Sequence, residues 1–189
     1  MKIFSIAIPI LFILIVSTPS TADAQRRDYM SDEEVEIIRN AQDIDVRIEM
    51  LTKMIDRRFA VLGIDVGGWK GTSKDSETWG PPPKGERDEI FSDIKRLLQK
   101  AIDDIDNLAE FPNSATVRDP NDRADARAAK DDPKRFPRAV HILAAAATRY
   151  RPALKSALDA TKDERSKGAI YDAIDSCDQI IAAVTKLKG

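Results

Sequence analysis

Apolar residues recur at intervals of three and four along four stretches of this chain, which is the spacing of one face of an α-helix. The first stretch runs from Ser31 to Leu62 and carries a heptad-like stripe that only Arg58 interrupts. Ser31 and Glu34 have the spacing of a capping box, and Gly63 suits the left-handed conformation that ends many helices. The apolar members of the stripe are Ile37, Ala41, Ile44, Ile48, Leu51, Ile55 and Leu62. The pattern predicts one long helix over residues 31–62.

Two further stretches predict a second and a third long helix. Residues 86–110 have a wide apolar face, which is typical of a helix that contacts more than one neighbour. Phe111 and Pro112 end this helix, because the residue before a proline is pushed out of the helical region. Residues 136–160 are rich in alanine, and Pro152 within them predicts a kink or a restart of the helix just before it.

A fourth helix is predicted over the last part of the chain. Thr161 and Glu164 have the spacing of a capping box at its start, and Lys186 and Lys188 suit the negative pole at its end. Gly168 lies inside this helix and weakens it by about 1 kcal/mol relative to alanine. The third and fourth helices are therefore expected to form a tight hairpin.

Two long connections separate the predicted helices. Residues 63–85 are rich in glycine and proline and show no sustained period, so they predict an irregular connection. Residues 113–135 mix opposite charges and contain few large apolar groups, which favours one short solvated helix. Asp119-Pro120 and Asp132-Pro133 each have the form of an N-cap followed by proline at the first helical position.

Trp69 and Trp79 both lie in the first of these connections. A connection of this length is uncommon unless it has a structural or functional role. The simpler interpretation is that both indoles fold back over an open end of the core, as in an Ω-loop. The alternative is that they form a partner-binding surface. Trp69 and Trp79 are therefore the candidate partner contacts.

No stretch combines strand-like alternation with turn signals. The expected fold class is all-α, an antiparallel helical bundle of about four main helices with two long connecting loops. Residues 25–189 are expected to form this bundle as a single domain.

The first 24 residues have the form of a cleaved secretory signal. Lys2 precedes an apolar core from Ile3 to Val16, which is too short to span a membrane. Ala22-Asp23-Ala24 has the small-x-small form after which a signal peptidase cleaves. We therefore expect export to the periplasm or the cell exterior, removal of residues 1–24, and no stable membrane insertion afterwards.

Composition narrows the classes of partner. The formal net charge is only −2, because basic and acidic residues are nearly equal in number. The protein therefore has no strong positive electrostatic field that would attract nucleic acid or an anionic membrane. Cys177 is the only cysteine, so no disulfide can form within the chain. It shares a helix face with Ile170, Ile174 and Ile181, and this spacing predicts a thiol buried in the core.

Histidine and the residues that ligate haem are scarce in this chain. His141 is the only histidine, and it lies one position away from the apolar stripe of its helix, at the expected edge of the core. Met50 and Met54 share one helix face, which core packing explains. The chain contains no Cys-x-x-Cys-His motif for haem attachment.

The carboxylates match no familiar metal pattern. Asp103, Asp104 and Asp106 cluster near the end of the second helix, as residues of a solvated helix face often do. The Glu-x-x-His pattern of di-iron bundles is absent, and residues 119–123 depart from the calcium-loop template. Residues 67–72 lack the glycine spacing of a phosphate-binding loop. We expect no cofactor and no metal.

Residues 28–58 resemble the opening of some secreted helical bacterial proteins. The motifs that carry the resemblance are Asp32-Glu33-Glu34, Arg39-Asn40-Ala41-Gln42-Asp43 and Arg47-Ile48-Glu49. The resemblance implies export from a bacterium and a helical fold, and it assigns no catalytic residue.

The function expected from these observations is that of a non-enzymatic interaction or structural protein. It would contact another envelope protein, or a second copy of itself, through the loop that carries the tryptophans or through an exposed helix stripe. The alternative is a bundle that holds a haem, a metal or an apolar ligand between its helices. An enzyme with a new carboxylate site is a third hypothesis, and the sequence nominates no residue for it.

Overall fold

Helices make up all the regular secondary structure in the described part of the chain. The computed structural model describes residues 27–110 and 132–187. Its helices are α1 (Asp32–Asn40), α2 (Ile44–Val61), α3 (Ser73–Trp79), α4 (Arg87–Glu110), α5 (Arg135–Ala160) and α6 (Glu164–Leu187). The predicted all-α bundle is confirmed, with α2, α4, α5 and α6 as its four main helices. The expected signal at residues 1–24 and the predicted cap at Asp119-Pro120 lie outside the described residues.

The four main helices are arranged as a ring. Helix α2 packs against α4 and α5, and α6 packs against the same two helices, so α2 and α6 lie diagonally opposite each other. Helices α4 and α5 touch only slightly across the other diagonal. The short α1 packs against α2 and α3, outside the ring.

Ion pairs show which of the neighbouring helices run in the same direction. Arg135 and Arg149 of α5 pair with residues 43 and 56 in the same order along the chain, so α2 and α5 run in parallel. Residues 88 and 95 of α4 likewise pair with residues 165 and 172 of α6 in ascending order. Helices α4 and α6 are therefore parallel as well.

Helices that follow each other in the chain run in opposite directions. Arg47, near the start of α2, pairs with Asp104, near the end of α4, at 3.0 Å. Arg151 of α5 pairs with Asp178 of α6, as the predicted hairpin requires. The antiparallel order of successive helices is therefore confirmed, although the chain must cross the bundle between α4 and α5.

The apolar stripes of all four main helices meet in one core. Phe59 and Tyr150 lie against each other within it, with ring centroids 5.2 Å apart. The fully buried apolar side chains include Ile48, Leu51, Met54, Ile55, Phe91, Ile94, Leu97, Leu98 and Leu154. Burying an aliphatic or aromatic side chain of this size contributes about 1.5–3 kcal/mol relative to leaving it exposed, so the stripes explain why the helices associate.

The prediction of one helix over residues 31–62 is wrong, because the chain breaks between α1 and α2. The backbone N–H of Ala41 donates to the carbonyl of Ile37 and closes α1, and Asp43 is the N-cap residue of α2. In one straight helix Glu34 and Arg58 would lie about 36 Å apart, at 1.5 Å for each residue. The break lets α1 fold back, so that the two side chains come into contact.

Other local predictions also need correction. The connection predicted as irregular contains the short helix α3. Helix α5 continues through Pro152, which excludes a restart there, whereas the predicted kink stays a prediction. The side chain of Asp163, and not of Thr161, accepts hydrogen bonds from the N–H and the hydroxyl of Ser166 at the start of α6. Asp163 directly precedes the first helical residue, so its side chain is closer to the N–H groups of the first turn than the side chain of Thr161 is.

None of the helices in residues 27–110 and 132–187 has both the length and the apolar character that a membrane span requires.

Substitution of two glycines by alanine tests the backbone conformation at each position. Gly168 is exposed within α6, and a Cβ atom there would meet no atom within 4 Å. We expect Gly168→Ala to raise the free energy of unfolding by about 0.5–1 kcal/mol, because alanine loses less backbone entropy on folding. Gly63→Ala should lower it by about 1–2 kcal/mol, because Gly63 has φ of 72° in equally open space. Urea denaturation of both variants measures the two changes, and a destabilised Gly168→Ala would contradict the placement of residue 168.

Candidate functional site

A buried carboxylate with two arginines lies where α1 meets α2. Glu34 accepts hydrogen bonds from Arg57 Nη1 at 2.6 Å and from Arg58 at both carboxylate oxygens, at 2.5 and 2.6 Å. All three side chains are at most 4% exposed. We call Glu34, Arg57 and Arg58 the arginine–glutamate cluster.

The cluster contains one more positive charge than negative charge, so its arginines need further acceptors. Arg58 donates to the carbonyl of Tyr29 at 2.5 Å and to that of Met54 at 3.1 Å. Its Nε is buried and has no partner among the described residues. Burial lowers the pKa of Arg57, and the neighbouring Glu34 opposes that shift. Charges buried in this way are stable only where ion pairs and hydrogen bonds offset most of the cost of removing them from water.

Arg57 connects the cluster to the tryptophan loop, which we define as residues 62–86. Its Nη2 donates to the carbonyls of Gly80 at 3.2 Å and Pro81 at 2.8 Å. Its guanidinium carbon lies 5.4 Å from the ring centroid of Trp69 and 5.7 Å from that of Trp79, within the range of cation–π attraction. One buried arginine therefore holds both the backbone and the aromatic rings of this loop.

The two indoles have different environments. Trp79 is 6% exposed and belongs to the core, whereas Trp69 is only partly buried against it. Their rings are perpendicular, with centroids 5.8 Å apart. The structure thus brings the two candidate partner contacts together and leaves part of Trp69 accessible. Their role as partner contacts stays a prediction.

A second arginine holds the beginning of the tryptophan loop. Arg149 donates to the carbonyl of Val66 at 2.6 Å and lies 3.4–3.5 Å from the carboxylate of Asp56. Burial raises the pKa of Asp56, although Tyr150 and Arg149 oppose that shift. A Cβ atom at Gly68 would lie 1.7 Å from Asp56 Oδ2, so any other residue where the loop crosses this carboxylate would displace the Asp56 side chain.

The candidate residues for metal or acid–base chemistry do not assemble into a site. His141 is exposed on α5, so its expected position at the edge of the core is wrong. Asp104 is paired with Arg47 and Lys100, and Asp103 accepts from Gln99. No group of three metal-ligating side chains occurs in the described ranges.

The sulfur-containing residues occupy core positions. Cys177 is fully buried, which confirms the predicted core thiol, and burial raises its pKa to about 12. A thiol with this pKa stays protonated and unreactive at neutral pH. Met54 is buried and Met50 packs against the core, as the sequence predicted.

A surface groove of about 390 Å³ lies between residue 27, the first half of α4 and the start of α6. We call it the arginine groove, because Arg27, Arg96 and Arg165 all line it. Asp93 forms part of its wall and accepts a hydrogen bond from Arg27 Nη2 at 2.6 Å. Burial raises the pKa of Asp93 from 3.8 to about 6, even though Arg27 acts to lower it.

Comparison with known proteins provides no relative for this chain. No protein-family model, no curated protein and no solved structure matches it. The geometry of the chain itself is therefore the guide to its function.

The periodicity of the sequence did not predict the arginine–glutamate cluster or the arginine groove. Arg58 follows Ile55 by three positions and precedes Leu62 by four, so it occupies the register of the buried stripe. An ionisable residue in that register predicts a buried partner, because burial of an unpaired charge is strongly unfavourable. Asp93 offers the same signal, three positions after Ile90 and four before Leu97.

The arginine–glutamate cluster predicts that replacing Glu34 with glutamine lowers stability strongly. Glu34→Gln keeps the shape of the side chain but leaves two buried arginines without a counter-charge. We expect the free energy of unfolding, measured by urea denaturation, to fall by about 3–5 kcal/mol. Glu36→Gln is the matched control, because Glu36 forms a surface pair with Arg39 and should have little effect. Equal effects of the two substitutions would contradict the structural role of Glu34.

The raised pKa of Asp93 predicts a dependence of stability on pH. The folded protein binds this proton more tightly than the unfolded chain between about pH 4 and pH 6. The free energy of unfolding of the native chain, minus that of Asp93→Asn, should therefore fall as pH rises through this range. It should be constant above about pH 7, where Asp93 is ionised in both the folded and the unfolded chain. Urea denaturation at several pH values measures the difference, and a flat or rising profile would contradict it.

Proposed function

We propose that this chain is an exported bacterial helical bundle that acts by contact with another protein of the cell envelope, and not by catalysis. The tryptophan loop is its contact surface. The observation that supports this proposal best is the state of Trp69, whose ring is partly accessible but held in place by Arg57 and Trp79.

A fixed, partly exposed indole is suited to binding a protein. Tryptophan provides a large amphipathic contact area, and tryptophan and arginine are enriched among the residues that dominate binding energy. Because the ring is already ordered, binding loses less conformational entropy than it would with a flexible loop. Gly67, Gly68 and Gly71 are exposed near Trp69 in the chain, and a Cβ atom at Gly71 would lie 3.4 Å from Trp69 Nε1, so the absence of side chains there lets a partner approach closely.

The apolar side chains that the described helices leave exposed do not form a stripe. The apolar stripes of the helices are used inside the bundle, where they form the core. In the described part of the chain, the large apolar side chains that stay exposed are Val35, Val46, Val61 and Tyr171. Of these, Val61 ends α2 beside the tryptophan loop and can extend its apolar surface. An exposed helix stripe is therefore the weaker of the two contact surfaces expected from the sequence.

The proposed location agrees with the chemistry of the chain. The signal expected at residues 1–24 supports export, and a buried protonated thiol at Cys177 is protected from mispairing outside the cytoplasm. The partner can be another envelope protein or a second copy of the chain. Light scattering after size-exclusion chromatography distinguishes these two cases.

The test compares two aromatic residues on different surfaces. The native chain, Trp69→Ala and Tyr171→Ala are immobilised and exposed to envelope extract. Trp69→Ala should weaken retention of the partner, or self-association, by about 30-fold, which corresponds to a hot-spot residue. Tyr171→Ala is the control, because Tyr171 is 56% exposed on α6 and lies outside the loop. Circular dichroism checks that both variants keep the native helix content.

Two results would overturn this proposal. One is a strict monomer that retains no partner at any concentration tested. The other is a partner that binds native protein and Trp69→Ala equally well.

A further inference from the structure

Arg96 lies in the arginine groove with its guanidinium over an aromatic ring, and its N–H groups have no acceptor among the described residues. Its guanidinium carbon lies 4.1 Å from the ring centroid of Tyr29, so the group is stacked on that ring. Within residues 27–110 and 132–187, no carboxylate or carbonyl accepts a hydrogen bond from it. Stacking leaves the edge of an arginine free, and this edge matches the two oxygens of a carboxylate.

Two more donors line the arginine groove beside Arg96. Ser92 lies four positions earlier on α4, on the same helix face, and it lines the groove as well. Arg165 lies across the groove on α6, where its side chain is 84% exposed and only 3.7 Å from Asp88. The groove therefore combines one fixed donor group, one hydroxyl and one adaptable arginine.

Carboxylates also line the arginine groove. Asp88 and Glu89 line it at the start of α4, and the carboxylate of Glu89 lies 3.8 Å from Arg27 Nε. Three carboxylates and three guanidiniums give the lining a formal charge near zero. This balance disfavours a compact dianion such as phosphate, and it favours a ligand that carries one charge of each sign.

We propose that the arginine groove binds a small zwitterion of the amino-acid or dipeptide class. Arg96 and Ser92 hold its carboxylate, and Asp88 and Glu89 receive its ammonium group. The volume of about 390 Å³ lies within the range of small-molecule sites. This site is on the surface between α4 and α6, and it does not depend on the function proposed for the tryptophan loop.

Isothermal titration calorimetry with L-alanyl-L-alanine tests the ligand class. N-acetyl-L-alanyl-L-alanine lacks the ammonium group, and L-alanyl-L-alanine amide lacks the carboxylate. We expect saturable binding of the dipeptide and at least about 10-fold weaker binding of both derivatives and of inorganic phosphate. The absence of saturable dipeptide binding up to about 20 mM, well above the usual range of KM values for metabolites, would overturn the proposal. Equal binding of phosphate would also overturn it, in favour of a simple oxyanion site.

Substitutions test whether Arg96 and Ser92 bind the dipeptide. Arg96→Gln should weaken dipeptide binding by about 10-fold, because it removes a charged, two-point contact. Arg39→Gln is the matched control, since it makes the same change at an exposed arginine on α1. Ser92→Ala should weaken binding by about threefold, and it decides the result if Arg96→Gln loses its fold by circular dichroism. If Arg96→Gln folds and binds the dipeptide with unchanged affinity, the assignment of Arg96 and Ser92 to the ligand carboxylate is overturned. If Arg96→Gln does not fold, unchanged affinity in Ser92→Ala overturns it.

Discussion

The burial of the Glu34 carboxylate is the constraint on which the arrangement of this end of the molecule depends. A buried carboxylate persists only with close cationic partners, and here the partners come from the last turns of α2. Those arginines in turn need acceptors, which the carbonyls of Tyr29 and Pro81 provide. One requirement thus fixes the segment before α1, the helix break and the tryptophan loop. Each buried charge needs a partner of opposite sign, and buried N–H donors need acceptors.

Ion pairs have a related role between the main helices. Apolar stripes bring helices together, but they select direction and register weakly, because many alignments bury a similar area. The pairs of Asp45 with Arg138 and of Asp56 with Arg149 are partly buried between α2 and α5. A shift of either helix along its axis would separate both pairs and leave carboxylates without partners. The contribution of these pairs is therefore to specificity of packing more than to net stability.

The sequence predicted the four main helices because their apolar periodicity is long and regular. It missed the break between α1 and α2, since Ala41 and Ile44 continue the stripe on both sides of it and both are buried. Arg58 interrupts the apolar stripe in the sequence, yet it occupies a core position with a partner from α1. The burial of Trp79 and the groove around Arg96 depend on contacts between distant segments, which periodicity does not encode.

The position of the two tryptophans has a spectroscopic consequence. The chain contains no others, and both lie in the tryptophan loop beside Arg57. Intrinsic indole fluorescence therefore reports the environment of this loop, whereas far-ultraviolet circular dichroism reports the whole bundle. If the loop separates from the core before the helices melt, the two signals will change at different denaturant concentrations. The protein thus carries its own optical probe for the local opening of a single surface segment.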